Sequence, residues 1–251
     1  MSFERLRAMN PRGRRIPVVL GVALAAGLLA IAALASTAGR LGAAGWGTVT
    51  GSLLVAAAGV IDDLTPDGPR GLRNHLRALA GGHVTTGILK LVVTVAAAIV
   101  VLTLLPLRPG WARIAGVVLV AGCTNLWNAL DVAPGRSLKV FLAVDAILLF
   151  AVDWAVVPGV PILFALGVPA LIVDVRERAM LGDAGSNLLG FTAGLGLFVA
   201  LPDWGVAVVA LVVLGLNVAA DVVSLSRVID GSPPLRWVDR LGRLPADASG
   251  D

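Results

Sequence analysis

Charge is scarce in this chain. Charged residues make up 14% of its 251 residues, against about 25% in a soluble domain. Hydrophobic residues reach 57%, above the usual range of about 45–50%. This balance argues against a soluble globular enzyme, a disordered chain and a nucleic-acid binder. Cysteine occurs once, at Cys123. An intrachain disulfide and a cysteine metal cluster are therefore excluded, and nothing requires an oxidising compartment. The only histidines are His75 and His83, isolated residues that read as solvated loop positions. The apolar runs lack the apolar–polar alternation of a β-barrel. There is no internal repeat, and no low-complexity tract beyond the Ala, Val, Leu and Gly of the apolar runs.

What the chain does have is a series of apolar stretches near the length that spans a bilayer, about 20 residues. Eight are expected: Pro17–Ala38, Trp46–Ile61, Thr86–Pro106, Trp111–Asn128, Leu138–Val156, Val157–Val173, Asn187–Leu201 and Trp204–Leu225. Several are short, and the 30 glycines suit helices packed backbone to backbone. Backbone groups in hydrocarbon must bond internally, so the expected fold is an all-α, polytopic membrane helical bundle. Eight spans put both ends on one side. All 20 Lys and Arg residues except Arg40, Arg108 and Arg113 then fall on that side. By the positive-inside rule both termini are cytoplasmic. A rival reading makes Pro17–Ala35 a cleaved signal peptide. That stretch is longer than a typical signal core, and its removal would unbalance the charge distribution. One membrane domain is expected over residues 1–244, with a small polar, disordered tail over 245–251.

The acidic residues point to function, because carboxylates at membrane depth are costly. Asp145, Asp153 and Asp203 fall within the bundle or at its outer side. The others gather where helices reach the cytoplasmic face. Asp62-Asp63 ends the second span, where a helix C-terminus disfavours acids and demands compensation by cations. Asn125, Asn128 and Asp131 are spaced by three and share one face of the fourth span. Gly182-Asp183-Ala184-Gly185-Ser186 precedes a helix start, a turn that lets phosphate approach backbone N–H groups. Asp183 would equally serve as the cap of that helix. Asp221 lies four residues after Asn217 in the last span. Beyond it, Ser232-Pro233-Pro234-Leu235-Arg236-Trp237-Val238-Asp239-Arg240 is stiff, basic and suited to an interface. Acids ringed by arginines on one face fit a hard cation and phosphates. The chemistry expected is phosphoryl transfer onto a membrane-embedded acceptor.

At these residues the sequence resembles the polyprenyl-phosphate N-acetylhexosamine-1-phosphate transferases, glycosyltransferase family 4. The basic stretch Asn10–Pro17, the pair Asp62-Asp63, Lys90, Asn125-x-x-Asn128-x-x-Asp131, Gly182–Ser186, Asp221, Ser232-Pro233 and Asp239-Arg240 follow in family order. The resemblance implies attack by a polyprenyl phosphate on the β-phosphate of a UDP-sugar. UMP would leave, and a polyprenyl-diphosphate-sugar would serve cell-wall or peptidoglycan precursor synthesis. It implies catalytic roles for Asp62, Asp63, Asp131 and Asp183, with Asp62 or Asp63 orienting or deprotonating the lipid phosphate. Asp183 and Asp131 would hold Mg²⁺, or alternatively Mn²⁺. Lys90, Asn125, Asn128, Gly185, Ser186, Asp221 and Arg240 would contact substrate. The partners implied are polyprenyl phosphate, a UDP-sugar and the plasma (inner) membrane, with the active face cytoplasmic. A homodimer is allowed, and no nucleic acid is expected.

The chain departs from the family pattern in several places. Val132 and Pro134 stand where the family has Gly and Asp, and only Gly135 remains of that continuation. No histidine cluster follows Asp239-Arg240. Met180 stands where relatives stack an aromatic residue on uracil. Eight spans replace the family's ten or eleven. A competing reading is therefore a catalytically degenerate member that binds polyprenyl phosphate or a cell-wall partner. A small transporter fits less well, because the acids gather at one face and not at the midplane.

Overall fold

The computed structural model describes residues 7–9, 13–65 and 77–244. Part of the basic stretch (residues 10–12), His75 and the 245–251 tail lie outside them. A helix covers most of every expected apolar run, although the Leu138–Val156 run is helical only to Ala151 and the Pro17–Ala38 run only from Leu20. In chain order the helices are α1 (Leu20–Thr37), α2 (Ala43–Asp63), α3 (Thr86–Leu104), α4 (Gly110–Leu130), α5 (Arg136–Ala151), α6 (Gly159–Val175), α7 (Gly182–Ala200) and α8 (Asp203–Val222). Two short helices follow, α9 (Leu225–Gly231) and α10 (Pro233–Arg240). Five helices, α1, α2, α3, α4 and α8, are long and apolar enough to cross a membrane, and α6 is a shorter apolar helix. The chain is thus a membrane-embedded α-helical protein.

One element departs from the all-α expectation. Arg7–Met9 (β1) and Arg15–Pro17 (β2) form an antiparallel ribbon with Ala8 opposite Ile16. The chain then continues alongside the turn before α7. Met180 N–H donates to the Pro17 carbonyl at 2.8 Å, and Gly21 N–H donates to the Leu181 carbonyl at 3.1 Å. Proline at 17 fixes φ and lacks an N–H, but its carbonyl remains available for this pairing.

The centre of the bundle is α7. Helices α1, α2, α4, α5 and α6 all pack on it, and most of its residues from Ala184 to Phe198 are buried. Small residues make that crowding feasible. A Cβ on Gly21 would stand 2.2 Å from the Gly185 nitrogen, and one on Gly59 would stand 2.5 Å from the Asp183 carbonyl oxygen. Both distances are shorter than a Cβ tolerates, so α1 and α2 touch α7 backbone to backbone. Phe191, Phe198, Leu188, Leu189 and Leu195 fill the space around it. The N-terminus of α7 is thereby fixed against the ends of α1, α2 and α4.

Candidate functional site

The two acids at the end of α2 have different partners. Asp63 accepts hydrogen bonds from the backbone amides of Asp183 at 2.9 Å and Ala184 at 3.1 Å. Its carboxylate thus caps α7 from another helix, satisfying two of the amides that a helix start leaves unpaired. The charge that is unfavourable at the C-terminus of α2 becomes favourable at the N-terminus of α7. Asp62 points instead to α3. It accepts from the Thr86 hydroxyl and from Lys90 Nζ, the latter at 2.8 Å. Thr86 and Lys90 lie one helical turn apart and present one face of α3 to the acid.

Lys90 joins three helices. Its ammonium donates to Asp62 Oδ2 at 2.8 Å and to Asp183 Oδ2 at 2.7 Å. Asn128 of α4 completes the group. With its amide nitrogen turned toward Asp183, it donates to Asp183 Oδ1 at 2.8 Å and to Ser186 Oγ at 3.2 Å, and accepts from Lys90 Nζ at 2.9 Å. The reverse orientation would set its oxygen against a carboxylate. All three ammonium donors of Lys90 are then satisfied. Asp62, Lys90, Asn128 and Asp183 therefore meet from α2, α3, α4 and α7 at one end of the bundle.

Asp131 follows α4 at the edge of this group. Burial, and then the carboxylates of Asp174, Asp183 and Asp63, push its carboxyl well above the usual range, against a backbone hydrogen bond from Gly182. The turn after it is held by Gly135, whose φ of +71° is in the left-handed region. The Gly135 N–H donates to Asp174 at 2.9 Å. A Cβ there would meet Val175 Cγ1 at 2.3 Å, so the glycine shapes the turn by conformation and by space.

Other expected site residues lie elsewhere. Asn125 is exposed and donates to Asn217 Oδ1 of α8 at 2.6 Å. Asn217 in turn donates to the carbonyls of Gly122 and Val213, so this pair joins α4 to α8. Gly185 serves the close approach of α1 to α7. Asp221 is exposed on the last turn of α8, and no hydrogen bond or ion pair among the described residues ties it to the Lys90 group. Arg240 is exposed on α10 and stands 3.5 Å from Asp230. On the opposite side of the fold, Asp203 pairs with Arg108 at 3.0 Å, and Asp153 accepts from the Ala155 N–H at 2.8 Å. Asp145 is fully buried in α5, with neither oxygen hydrogen-bonded among the described residues.

Three contributions to the site were not foreseen. Thr86 was foreseeable, since it begins a helix and lies four residues before Lys90. Asp174 is legible as one of the acids bracketing the sixth and seventh spans, but its hold on the Gly135 turn carried no motif. The third is a clasp of Arg136 and Asp239. Arg136 Nε and Nη2 donate to the two Asp239 oxygens at 2.8 and 3.1 Å. Arg243 adds a bond at 2.6 Å. Burial alone would raise the Asp239 carboxyl. The Arg136 hydrogen bonds and charge, with Arg243 and Lys139, instead hold it below the ordinary carboxylate range.

The donor set is hard oxygen with one ammonium, the chemistry that suits phosphate and Mg²⁺. Among the described residues, no group of three or more His, Cys, Asp or Glu is disposed to hold a metal ion. Mg²⁺ commonly uses one or two carboxylates together with substrate phosphates and water. That mode asks for fewer carboxylates than such a group, and the Lys90 ammonium already bridges Asp183 and Asp62 as a cation would. Comparison with protein-family models, curated proteins and solved structures finds no match to this sequence.

Proposed function

We propose that the chain transfers a sugar-1-phosphate from a UDP-sugar to a membrane polyprenyl phosphate. A phosphate oxygen of the lipid attacks the β-phosphorus. The bond from that phosphorus to the bridging oxygen breaks, UMP leaves with the electron pair, and a polyprenyl-diphosphate-sugar stays in the membrane. The observation that supports this reading is the meeting of Asp62, Lys90, Asn128 and Asp183 from four helices at one end of an apolar bundle.

In this reading all eight helices from α1 to α8 cross the plasma membrane, with both termini and the site cytoplasmic. Asp183 and Asp131 would hold Mg²⁺, which neutralises charge developing on the diphosphate. Lys90 releases its carboxylates to pair with a phosphate. Asp62, already an acceptor for Lys90 and Thr86, orients the lipid phosphate or takes its proton. Asp63 is a positioning residue, because both of its oxygens hold amides of α7. Asn128 aligns Asp183 through its amide.

A second reading is a lipid-phosphate binder without turnover. It is favoured by the closed Lys90 network, in which one ammonium bridges Asp62 and Asp183. Purified protein, Mg²⁺, polyprenyl phosphate and a panel of labelled UDP-N-acetylhexosamines separate the two. Labelled lipid and UMP are expected, and Asp183→Asn should abolish both at an unchanged elution volume. No product with any sugar nucleotide, while polyprenyl phosphate still binds, leaves the binder.

A further inference from the structure

The segment after α8 takes no part in the Lys90 group, yet its surface is far from neutral. The contact of Asn217 with Asn125 sets the end of α8 beside the end of α4. That places α9 and α10 at the same end of the bundle as the acidic group. Asp239 is the buried residue of α10, and it fastens the helix through Arg136, Arg243 and the Lys139 ammonium, which donates to the Asp239 carbonyl at 2.7 Å.

At about 100° per residue, Trp237 falls nearly opposite Asp239. It is 66% exposed. Arg236 and Arg240 flank it on one side, and Leu235 and Val238, each about half exposed, lie on the other. Pro233, Arg236, Trp237, Arg240, Leu241 and Gly242 line an open groove of about 510 Å³. The guanidinium groups are lightly engaged. Arg236 reaches the Asp230 carbonyl at 3.4 Å, and Arg240 reaches the Asp230 carboxylate at 3.5 Å. Most of their donors thus remain available in a planar geometry that matches phosphate.

We propose that this face of α10 binds the phosphate headgroups of anionic lipids in the adjoining leaflet. Arg236 and Arg240 pair with phosphate oxygens. Trp237 sits at the boundary of headgroup and hydrocarbon, where its ring is apolar and its N–H is polar. Leu235, Val238 and Leu241 enter the acyl region, as the apolar side of an interfacial helix does. Charge complementarity selects the occupant. A short basic helix next to membrane spans meets anionic lipid before any soluble ligand, and each arginine near the surface adds attraction. The proposal goes beyond the transfer reading, and its readout is lipid retention, not turnover.

The test uses full-length protein purified in detergent. Phosphatidylglycerol, phosphatidylcholine or inorganic phosphate is added, and native mass spectrometry counts what is retained. Phosphatidylglycerol should be retained in preference to phosphatidylcholine. Arg236→Gln with Arg240→Gln should weaken that retention roughly tenfold or more. Arg240→Gln alone, the milder change, should weaken it in the same direction, and Arg176→Gln on a different loop should not. Equal retention of the two lipids would overturn the proposal. So would undiminished phosphatidylglycerol on the folded double or single variant. Displacement of the lipid by millimolar inorganic phosphate would also overturn it, by making this a site for free anions.

Discussion

At the scale of single residues, the fold turns on an ammonium held by three acceptors. Removing it leaves Asp62 and Asp183 facing each other in a partly buried space. Lys90→Met should cost about 1–3 kcal/mol of stability, since breaking one side of such a pair strands the other charges. Asp62→Asn in the Lys90→Met background should recover part of that loss, and a double-mutant cycle by thermal unfolding in detergent measures the coupling. If the two losses simply add, the Lys90–Asp62 contact carries no energy. Asp62 was legible in the sequence as a charge that needs a partner, and Lys90 entered the site through the family resemblance. Their mutual pairing was not legible, because residues 28 positions apart meet only through the packing of α2 on α3. Asn125 shows the reverse failure. Its spacing from Asn128 was read correctly as helical. The interval of three, however, rotates it far enough from Asn128 to meet Asn217.

At the scale of elements, one helix start depends on a carboxylate borrowed from a neighbour, and another helix is held by its own. Asp63→Asn keeps the shape but can offer only one acceptor oxygen to the start of α7. It should destabilise the protein by about 1–2 kcal/mol, read as a lower unfolding midpoint. For α10, the pH dependence follows from Asp239. Its folded-state carboxyl lies below the ordinary range, so its contribution is complete above about pH 4. It is lost as pH falls through the folded-state value. Amide hydrogen exchange across residues 233–240 should accelerate through that acid window beyond its intrinsic change with pH. In Asp239→Asn the segment should be poorly protected even at neutral pH. The helices themselves were legible because each apolar run is bounded by Gly, Pro or polar residues. The ribbon of β1 and β2 was not. Three-residue strands carry too little periodicity, and their pairing is fixed by the turn before α7.

At the scale of the whole molecule, the number of crossings decides where the ends lie. Five crossings, the number of helices with sufficient length and hydropathy, would separate the termini. Eight would return both to one side. Reporter fusions at Met1 and Asp251 should both report the cytoplasm, and opposite signals would exclude the eight-span arrangement. The basic residues made this expectation readable from sequence, because charge asymmetry acts on each loop separately. The identity of the central helix was not readable in that way. Centrality is a property of neighbours, and α7, with its glycines and Asn187, is less apolar than α1, α3, α6 and α8. Its place in the chain has a consequence for biogenesis. Six helices leave the ribosome before the one on which five of them pack. Until α7 is made, Gly21 and Gly59 have no backbone to meet, and the Asp63 carboxylate has no amides to hold. A nascent chain halted near Val175 is therefore a ring without its axle, and would depend on the insertion machinery to shelter the surfaces it has yet to close.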